Sequence, residues 1–360
     1  MNLKKLNPSR ILIVNIFGIG DVLFTTPLVS NLRHHFPGAA IDYMANKRVA
    51  PLLEDHSLIR KVHIYERDEF EAVRKQSKRE FLKKFSGFVR TIKAEQYDVL
   101  FDFSMNQMFN VISSLVGIRT RIGFNYKNRS RFLTEKIKLT GFQDKHVVQY
   151  YLDLLSDCGV ETIQRELEIT ITPEHRDWAA QFLKSNKIST DQPVLGIFPG
   201  GGSSWGKSAG SKRWGQENYI KLIHKIVEKS SVQIILMGDK SEETLCTEIV
   251  RQCPNVYKSF GQTSLGQSLA LLNRCRGVVC NDGGPLHMAV AAGTNTVSMF
   301  GPVDHNVYGP WPNQKKHFVV VSGIACRPCY RKFRMTDCSH LSCLSEITVD
   351  EVFNKVGLIL

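Results

Sequence analysis

The sequence predicts an α/β fold: two Rossmann-like, doubly wound domains facing each other across a cleft. Three observations predict it. Strand-like and helix-like segments alternate along the whole chain, the pattern of parallel sheets covered by helices on both faces. The alternation restarts after a polar stretch, Lys187–Pro193, rich in turn formers. A chain of 360 residues with 42% hydrophobic content is also long enough for two cores and too apolar for disorder.

In the first series Arg10–Asn15 is an apolar, β-branched strand that feeds a glycine-rich turn. Asp21–Phe36 follows as a helix, with Val22, Leu28, Val29 and Leu32 at helical spacing, and Pro37-Gly38 stops it. Ala40–Met44 resumes as strand. Phe70–Lys93 reads as one long charged helix with Phe81, Phe85, Phe88 and Val89 on one face, and Tyr97–Phe103 as the next strand. His146–Cys158 is helical, Glu166–Ile171 extended and Pro173–Asn186 an amphipathic helix. In the second series Val194–Phe198, Val232–Met237, Gly277–Asn281 and Thr294–Phe300 are strands. Between them lie a Gly/Ser-rich loop at Gly200–Arg213 and helices over Gln216–Lys229, Ser241–Gln252, Leu265–Arg274 and Pro285–Ala292. This reading divides the chain into an N-terminal Rossmann-like domain (1–186), a C-terminal Rossmann-like domain (187–347) and a C-terminal helix (348–360).

The formal net charge of +13 and pI near 9.3 imply an anionic partner. No apolar run approaches the roughly 20 residues of a spanning helix, and Ile11–Val14 is too short for a signal sequence. The expectation is a cytoplasmic protein, resting peripherally on the anionic inner face of the cytoplasmic membrane. The basic stretches Arg74–Lys93 and Arg119–Lys138 could also suit RNA, the latter with Phe124, Tyr126 and Phe132 to stack on bases. No recognised nucleic-acid module accompanies them, so no nucleic acid is expected.

Ligands of open parallel sheets bind beyond the carboxyl ends of the strands, and four loops there carry suggestive residues. In the first, Gly18 and Gly20 permit a tight turn before Asp21, which either caps the helix or faces a substrate. The third glycine of a dinucleotide fingerprint is replaced by Leu23, so NAD is disfavoured. The second loop offers backbone N–H groups and Lys207, Lys212 and Arg213 to a phosphate. It matches a Walker A string at Gly201–Ser208, but Gly210 and Ser211 interrupt the helix that a true P-loop opens. The third holds Asp239 and Glu242, which either bind ribose hydroxyls or cap a helix. The fourth, Asn281–Met288, puts Asp282, Gly283, Gly284, Pro285 and His287 at a helix start suited to an anion.

Together these blocks resemble glycosyltransferase family 9, the lipopolysaccharide heptosyltransferases. The resemblance is carried by Ile11–Pro27 (ILIVNIFGIGDVLFTTP), Lys212-Arg213-Trp214, Asn281–Met288 (NDGGPLHM) and Phe300–Asp304 (FGPVD), in family order over nearly the whole chain. It implies a two-domain GT-B enzyme that transfers heptose from ADP-L-glycero-D-manno-heptose to a lipopolysaccharide core acceptor, on phosphorylated lipid A. The reaction would invert the anomeric carbon and need no metal, in keeping with the lack of an Asp-x-Asp triplet. By this resemblance Asp21 is the catalytic base, Gly18 and Gly20 shape the acceptor-side loop, and Lys212 meets the donor diphosphate. Asp282, Gly283, Gly284 and His287 cradle the donor, and Glu242 binds the ribose. The chain departs from the family pattern at Asn15, where a basic residue is common, and in a longer loop before Lys212. Alternatives are a transferase for another nucleotide sugar or acceptor, or a non-catalytic nucleotide-binding or RNA-binding protein.

Of the nine cysteines, Cys158, Cys246, Cys253, Cys275 and Cys280 read as small buried hydrophobes. The other four, Cys326, Cys329, Cys338 and Cys343, have spacings that could suit a structural zinc site with no part in the transfer chemistry. The other reading of these four is free thiols.

Overall fold

The computed structural model describes residues 2–189, 191–202, 206–312 and 314–360. The chain forms two compact units, Met1–Phe142 with Val148–Arg165, and Gln143–Val147 with Glu166–Leu360. Each is a six-stranded, wholly parallel sheet.

In the first unit the strands are β1 (Arg10–Val14), β2 (Ala40–Ala45), β3 (Lys61–Ile64), β4 (Val99–Asp102), β5 (Thr120–Tyr126) and β6 (Glu135–Leu139). Their order across the sheet is β3-β2-β1-β4-β5-β6, so the direction of winding reverses between β1 and β4. That is the switch point at which such sheets bind ligands. Val14 of β1 lies in register with Asp102 of β4, so the loops leaving both strands start at the same edge. Central strands are covered on both faces, which is why β1 and β4 are apolar almost without interruption.

The second unit repeats the plan with β7 (Val194–Phe198), β8 (Gln233–Leu236), β9 (Tyr257–Lys258), β10 (Gly277–Asn281), β11 (Asn295–Met299) and β12 (His317–Val320). Their order, β12-β11-β10-β7-β8-β9, puts the switch between β7 and β10. The core on one side of this sheet gathers Leu195, Trp214, Tyr219, Ile223 and Leu236 with Cys343, Leu344, Val352 and Val356. The C-terminal helix Val349–Val356 is therefore part of this unit's core.

Three differences from the sequence reading have an identifiable cause. The helix expected over Asp21–Phe36 is two, Ile19–Leu23 and Thr26–His35. Pro27 has no N–H to give to the Leu23 carbonyl, which instead accepts from Thr26 Oγ1 at 2.7 Å. The helix expected over Phe70–Lys93 is also two, Arg67–Gln76 and Lys78–Ala94, parted at Ser77. Ser77 is extended and its hydroxyl caps the Glu80 N–H at 3.3 Å, so Ser77-x-x-Glu80 was a readable capping signature. Helix Pro173–Ser185 packs on helix Leu265–Arg274, and Gly266 leaves room for His175, whose ring would lie 2.2 Å from an added Cβ. The segment from Glu166 onward accordingly belongs to the second unit, and the polar stretch after Lys187 runs inside that unit.

Candidate functional site

The second unit's chemistry collects at the carboxyl edge of β7 and β10. β10 delivers Asn281 and Asp282, and helix Gly284–Ala291 starts immediately beyond. Asp282 Oδ2 lies 2.7 Å from Lys212 Nζ, and both side chains are less than a tenth exposed. Breaking such a buried pair by removing one partner costs roughly 3–5 kcal/mol, so each fixes the other's position. Next to Lys212, the Nε of half-buried Arg213 is itself buried and meets no acceptor among the described residues. The structure thus sets Lys212, Asp282, Gly283 and Gly284 together. Lys207 belongs to residues 203–208, whose side chains lie outside those described.

Backbone approach explains the glycines. A Cβ on Gly283 would lie 2.6 Å from the Gly201 carbonyl oxygen, backbone against backbone. A Cβ on Gly200 would lie 1.7 Å from Glu242 Oε1. Glu242 fills that space because it holds the loop: its Oε1 accepts from Gly201 N and Gly202 N, each at 3.0 Å, and its Oε2 from Asp239 N at 3.2 Å. This buried carboxylate therefore shapes the glycine loop, with some acceptor capacity left for a ribose hydroxyl.

Asn281 does a similar job that the sequence did not single out. Its Nδ2 donates to the Pro199 carbonyl at 2.9 Å and to the Gly200 carbonyl, while its Oδ1 accepts from Trp214 N at 3.0 Å. One buried amide thus joins the loop after β7, the segment carrying Lys212, and β10. The sequence signals were a polar residue closing an otherwise apolar strand and its place at the head of the Asn281–Met288 block.

His287, in the first turn of helix Gly284–Ala291, is buried. Burial, with lesser contributions from His146 and Lys212, pushes its pKa down to about 3. It is a neutral imidazole at pH 7 and offers an anion a neutral N–H rather than a charge. His146 is likewise buried, stacked on Trp311 with ring centroids 4.7 Å apart and bonded to the Gly309 carbonyl at 3.0 Å.

In the first unit Asp21 falls within the first turn of helix Ile19–Leu23. Its Oδ2 accepts from Gly18 N at 3.1 Å, so it does cap this turn, and the carboxylate is half-buried at the carboxyl edge of β1. The Asn15 amide braces the turn: Nδ2 donates to the Asp21 carbonyl at 2.9 Å and Oδ1 accepts from Phe17 N at 3.2 Å. Asn46 on the neighbouring loop holds the Ile16 and Phe17 carbonyls. Asp102 closes β4 at the same edge. It is buried, Ser104 satisfies its Oδ1, and its Oδ2 has no hydrogen-bond partner. Burial pushes its pKa up to about 6 against the hydrogen bonds from Ser104.

Asp42, His63 and Glu95 also converge, with potential ligand atoms all within 4.8 Å. Cations of the chain already occupy them: Arg60 binds both carboxylates and Lys61 bonds Glu95 at 2.6 Å. Burial of Asp42 is outweighed by hydrogen bonds from His63, Arg60 and Tyr97, which hold it well below the usual carboxylate range. This is a structural charge network.

With this geometry in place, comparison with known proteins is decisive at one level. Residues 86–340 match the model of glycosyltransferase family 9 (heptosyltransferase). The chain belongs to glycosyltransferase family 9. It is 23% identical over 304 residues to the lipopolysaccharide heptosyltransferase 3 of Escherichia coli, covering 83% of this chain and 85% of that one. Its fold is similar to that of a family 9 glycosyltransferase from Veillonella parvula, with a TM-score of 0.79, 20% identity and coverage of 98% and 97%. It is also similar to the E. coli ADP-heptose LPS heptosyltransferase II, with a TM-score of 0.74, 20% identity and coverage of 97% and 98%. The protein is a glycosyltransferase, with the two parallel α/β sheets expected. Among the described residues no helix is long and apolar enough to cross a membrane.

Proposed function

We propose that this enzyme transfers heptose from ADP-L-glycero-D-manno-heptose to a lipopolysaccharide core acceptor, with inversion and without a catalytic metal. The observation that carries the reading is the buried Lys212–Asp282 pair at the start of a helix whose entry glycine lies against a glycine loop. In this reading the diphosphate meets Lys212, Arg213, backbone N–H groups near Gly283 and Gly284, and the neutral His287. Glu242 keeps the glycine loop in shape and gives its remaining acceptor capacity to the ribose. Lys212 supplies the positive charge that a divalent ion provides elsewhere.

Asp21 takes the proton of the acceptor hydroxyl as its oxygen attacks the anomeric carbon. The bond from that carbon to the diphosphate oxygen breaks, and ADP leaves with the electron pair, stabilised by Lys212 and the helix N-terminus. In this reading the buried, unpartnered Oδ2 of Asp102 accepts a hydrogen bond from another acceptor hydroxyl. The acceptor is anionic and membrane-borne. Helix Lys78–Ala94 suits such a surface, with Lys83 and Arg90 exposed near Leu82, which is 63% exposed.

The test is a transfer assay with ADP-heptose, other ADP-sugars and UDP- and GDP-sugars, on a heptose-deficient core acceptor, in excess chelator. Heptosylated product from ADP-heptose alone supports the reading. Efficient transfer from a UDP- or GDP-sugar instead refutes the donor assignment, and turnover that chelator abolishes and added magnesium or manganese restores refutes metal independence.

A further inference from the structure

The segment that follows β12 carries four cysteines and little regular structure. The chain passes Cys326-Arg-Pro-Cys329, turns back through a short antiparallel bridge between Arg331 and Arg334, and reaches Cys338 and then Cys343. Cys326, Cys329 and Cys338 line one cavity of about 520 Å³, together with Arg331, Arg334 and His340. Cys343 is buried in the core of the second unit. The thiols are close enough to act on one another electrostatically, Cys326 and Cys338 both bearing on Cys329. Burial, then the charges of Cys329 and Cys338, pushes Cys343 up to about 11. All four are free.

We propose that Cys326, Cys329, Cys338 and Cys343 together bind one divalent metal ion, zinc or iron, that braces the sugar-nucleotide end of the second sheet. The pair spacings, two and four intervening residues, are those of thiolate knuckles. Four sulfurs in tetrahedral array select zinc or iron over the harder cations. The negative charge of such a centre is answered locally, because Arg327 sits within electrostatic reach of Cys326, Cys329 and Cys343. In the structure the four thiols are divided between this cavity, lined by Cys326, Cys329 and Cys338, and the core that holds Cys343. Binding therefore closes the segment around the ion and releases thiol protons.

The bracing follows from what the segment touches. Arg327 Nε donates to the Gly301 carbonyl at 2.7 Å, and Cys329 N and Tyr330 N both donate to the Pro302 carbonyl, at 2.9 and 3.0 Å. Leu344 fills the space over Gly301, where a Cβ would lie 2.7 Å from Leu344 Cγ. The Ile347 carbonyl accepts from Trp214 Nε1 at 2.9 Å, and Trp214 N is the group held by Asn281. The loop leaving β11 is adjacent to Asp282, whose N–H donates to the Met299 carbonyl at 3.1 Å. One ion linking Cys326 to Cys343 would thus tie the loop after β11 to the segment that carries Lys212. The metal claim is independent of the proposed donor; the consequence for ADP rests on it.

The experiment uses the full chain purified without chelator. Elemental analysis is expected to give close to one zinc or iron per chain, the element itself distinguishing the two. Cys326→Ser, at the exposed ligand, is expected to lower that content at least tenfold while the far-ultraviolet circular dichroism stays native. Reconstitution of chelator-stripped protein with cobalt is expected to show thiolate-to-cobalt charge-transfer absorption. Less than one tenth of an ion per chain and no cobalt–thiolate band, or two disulfides by mass spectrometry, overturns the site. Stripping is also expected to weaken ADP binding about tenfold. A stoichiometric metal whose removal leaves ADP affinity unchanged overturns the brace and keeps the site. Absence of ADP binding to the metal-replete protein refutes the donor reading and leaves the metal claim to the elemental result.

Discussion

Replacing Gly283 by alanine tests the donor cradle directly. Gly283 has φ 167°, an extended conformation open to alanine, so the substitution carries no backbone penalty. The effect is steric: the new Cβ would stand 2.6 Å from the Gly201 oxygen, where ordinary contact begins at 3.4 Å. The glycine loop must therefore retreat by about 0.8 Å, the difference between those two distances. Overpacking of this kind costs about 1–3 kcal/mol. If the loop moves, the loss falls on ADP, at about 5- to 150-fold in affinity. If the loop stays, it falls on stability, at about 2–4 °C per kcal/mol for a domain of the second unit's size. Calorimetric titration with ADP and a thermal scan of the same protein read both. Gly210→Ala is the control, because its Cβ meets nothing within 4 Å, and it should change neither. A Gly283→Ala protein with wild-type ADP affinity and wild-type Tm would refute the close-approach argument.

Four further predictions follow from the site. Asp21→Asn keeps an acceptor for Gly18 N but removes the base, so kcat should fall about 10²- to 10⁴-fold with ADP affinity unchanged; near-normal turnover excludes the role. Asn281→Ala cuts the link among Pro199, Gly200 and Trp214, and should lower both Tm and ADP affinity, read in the same two assays. Lys212→Ala leaves Asp282 as a buried unpaired carboxylate, so it should be less stable than Lys212→Ala/Asp282→Ala while neither binds ADP well; chemical denaturation decides the order. The pH prediction concerns His287. Its pKa is about 3 when folded, against an ordinary 6.5, so the unfolded chain binds the extra proton between those values. The stability it contributes is complete above pH 6.5 and is lost as pH falls toward 3. Buried His146 and His317, each near 4, act in the same sense. Tm should therefore fall from pH 7 to pH 5, less steeply in His287→Gln; an equal slope in both proteins contradicts a buried neutral imidazole.

The sequence by itself determined the repeated α/β plan and the loops that carry the chemistry. β1, β7 and β10 were legible because central strands buried on both faces must be continuous apolar runs. Helix Leu265–Arg274 was legible because the reciprocal cap between Ser264 and Gln267 marks its start within a local window. Strands β3, β5, β6, β9 and β12 were not, since sequences such as Lys61–Ile64 or Glu135–Leu139 are mixed in polarity. Pairing with a neighbour, rather than any local pattern, makes them strands. The same limit applied at the site. Asp282 and Gly283 stood out in the sequence. That Lys212 would be paired with Asp282, that Glu242 would hold a loop 41 residues upstream, and that Asn281 would hold one 82 residues upstream could not be read there. Tertiary structure alone decided those roles, because a buried polar group takes whichever partner the folded chain brings within hydrogen-bond reach, and sequence separation carries no information about that distance.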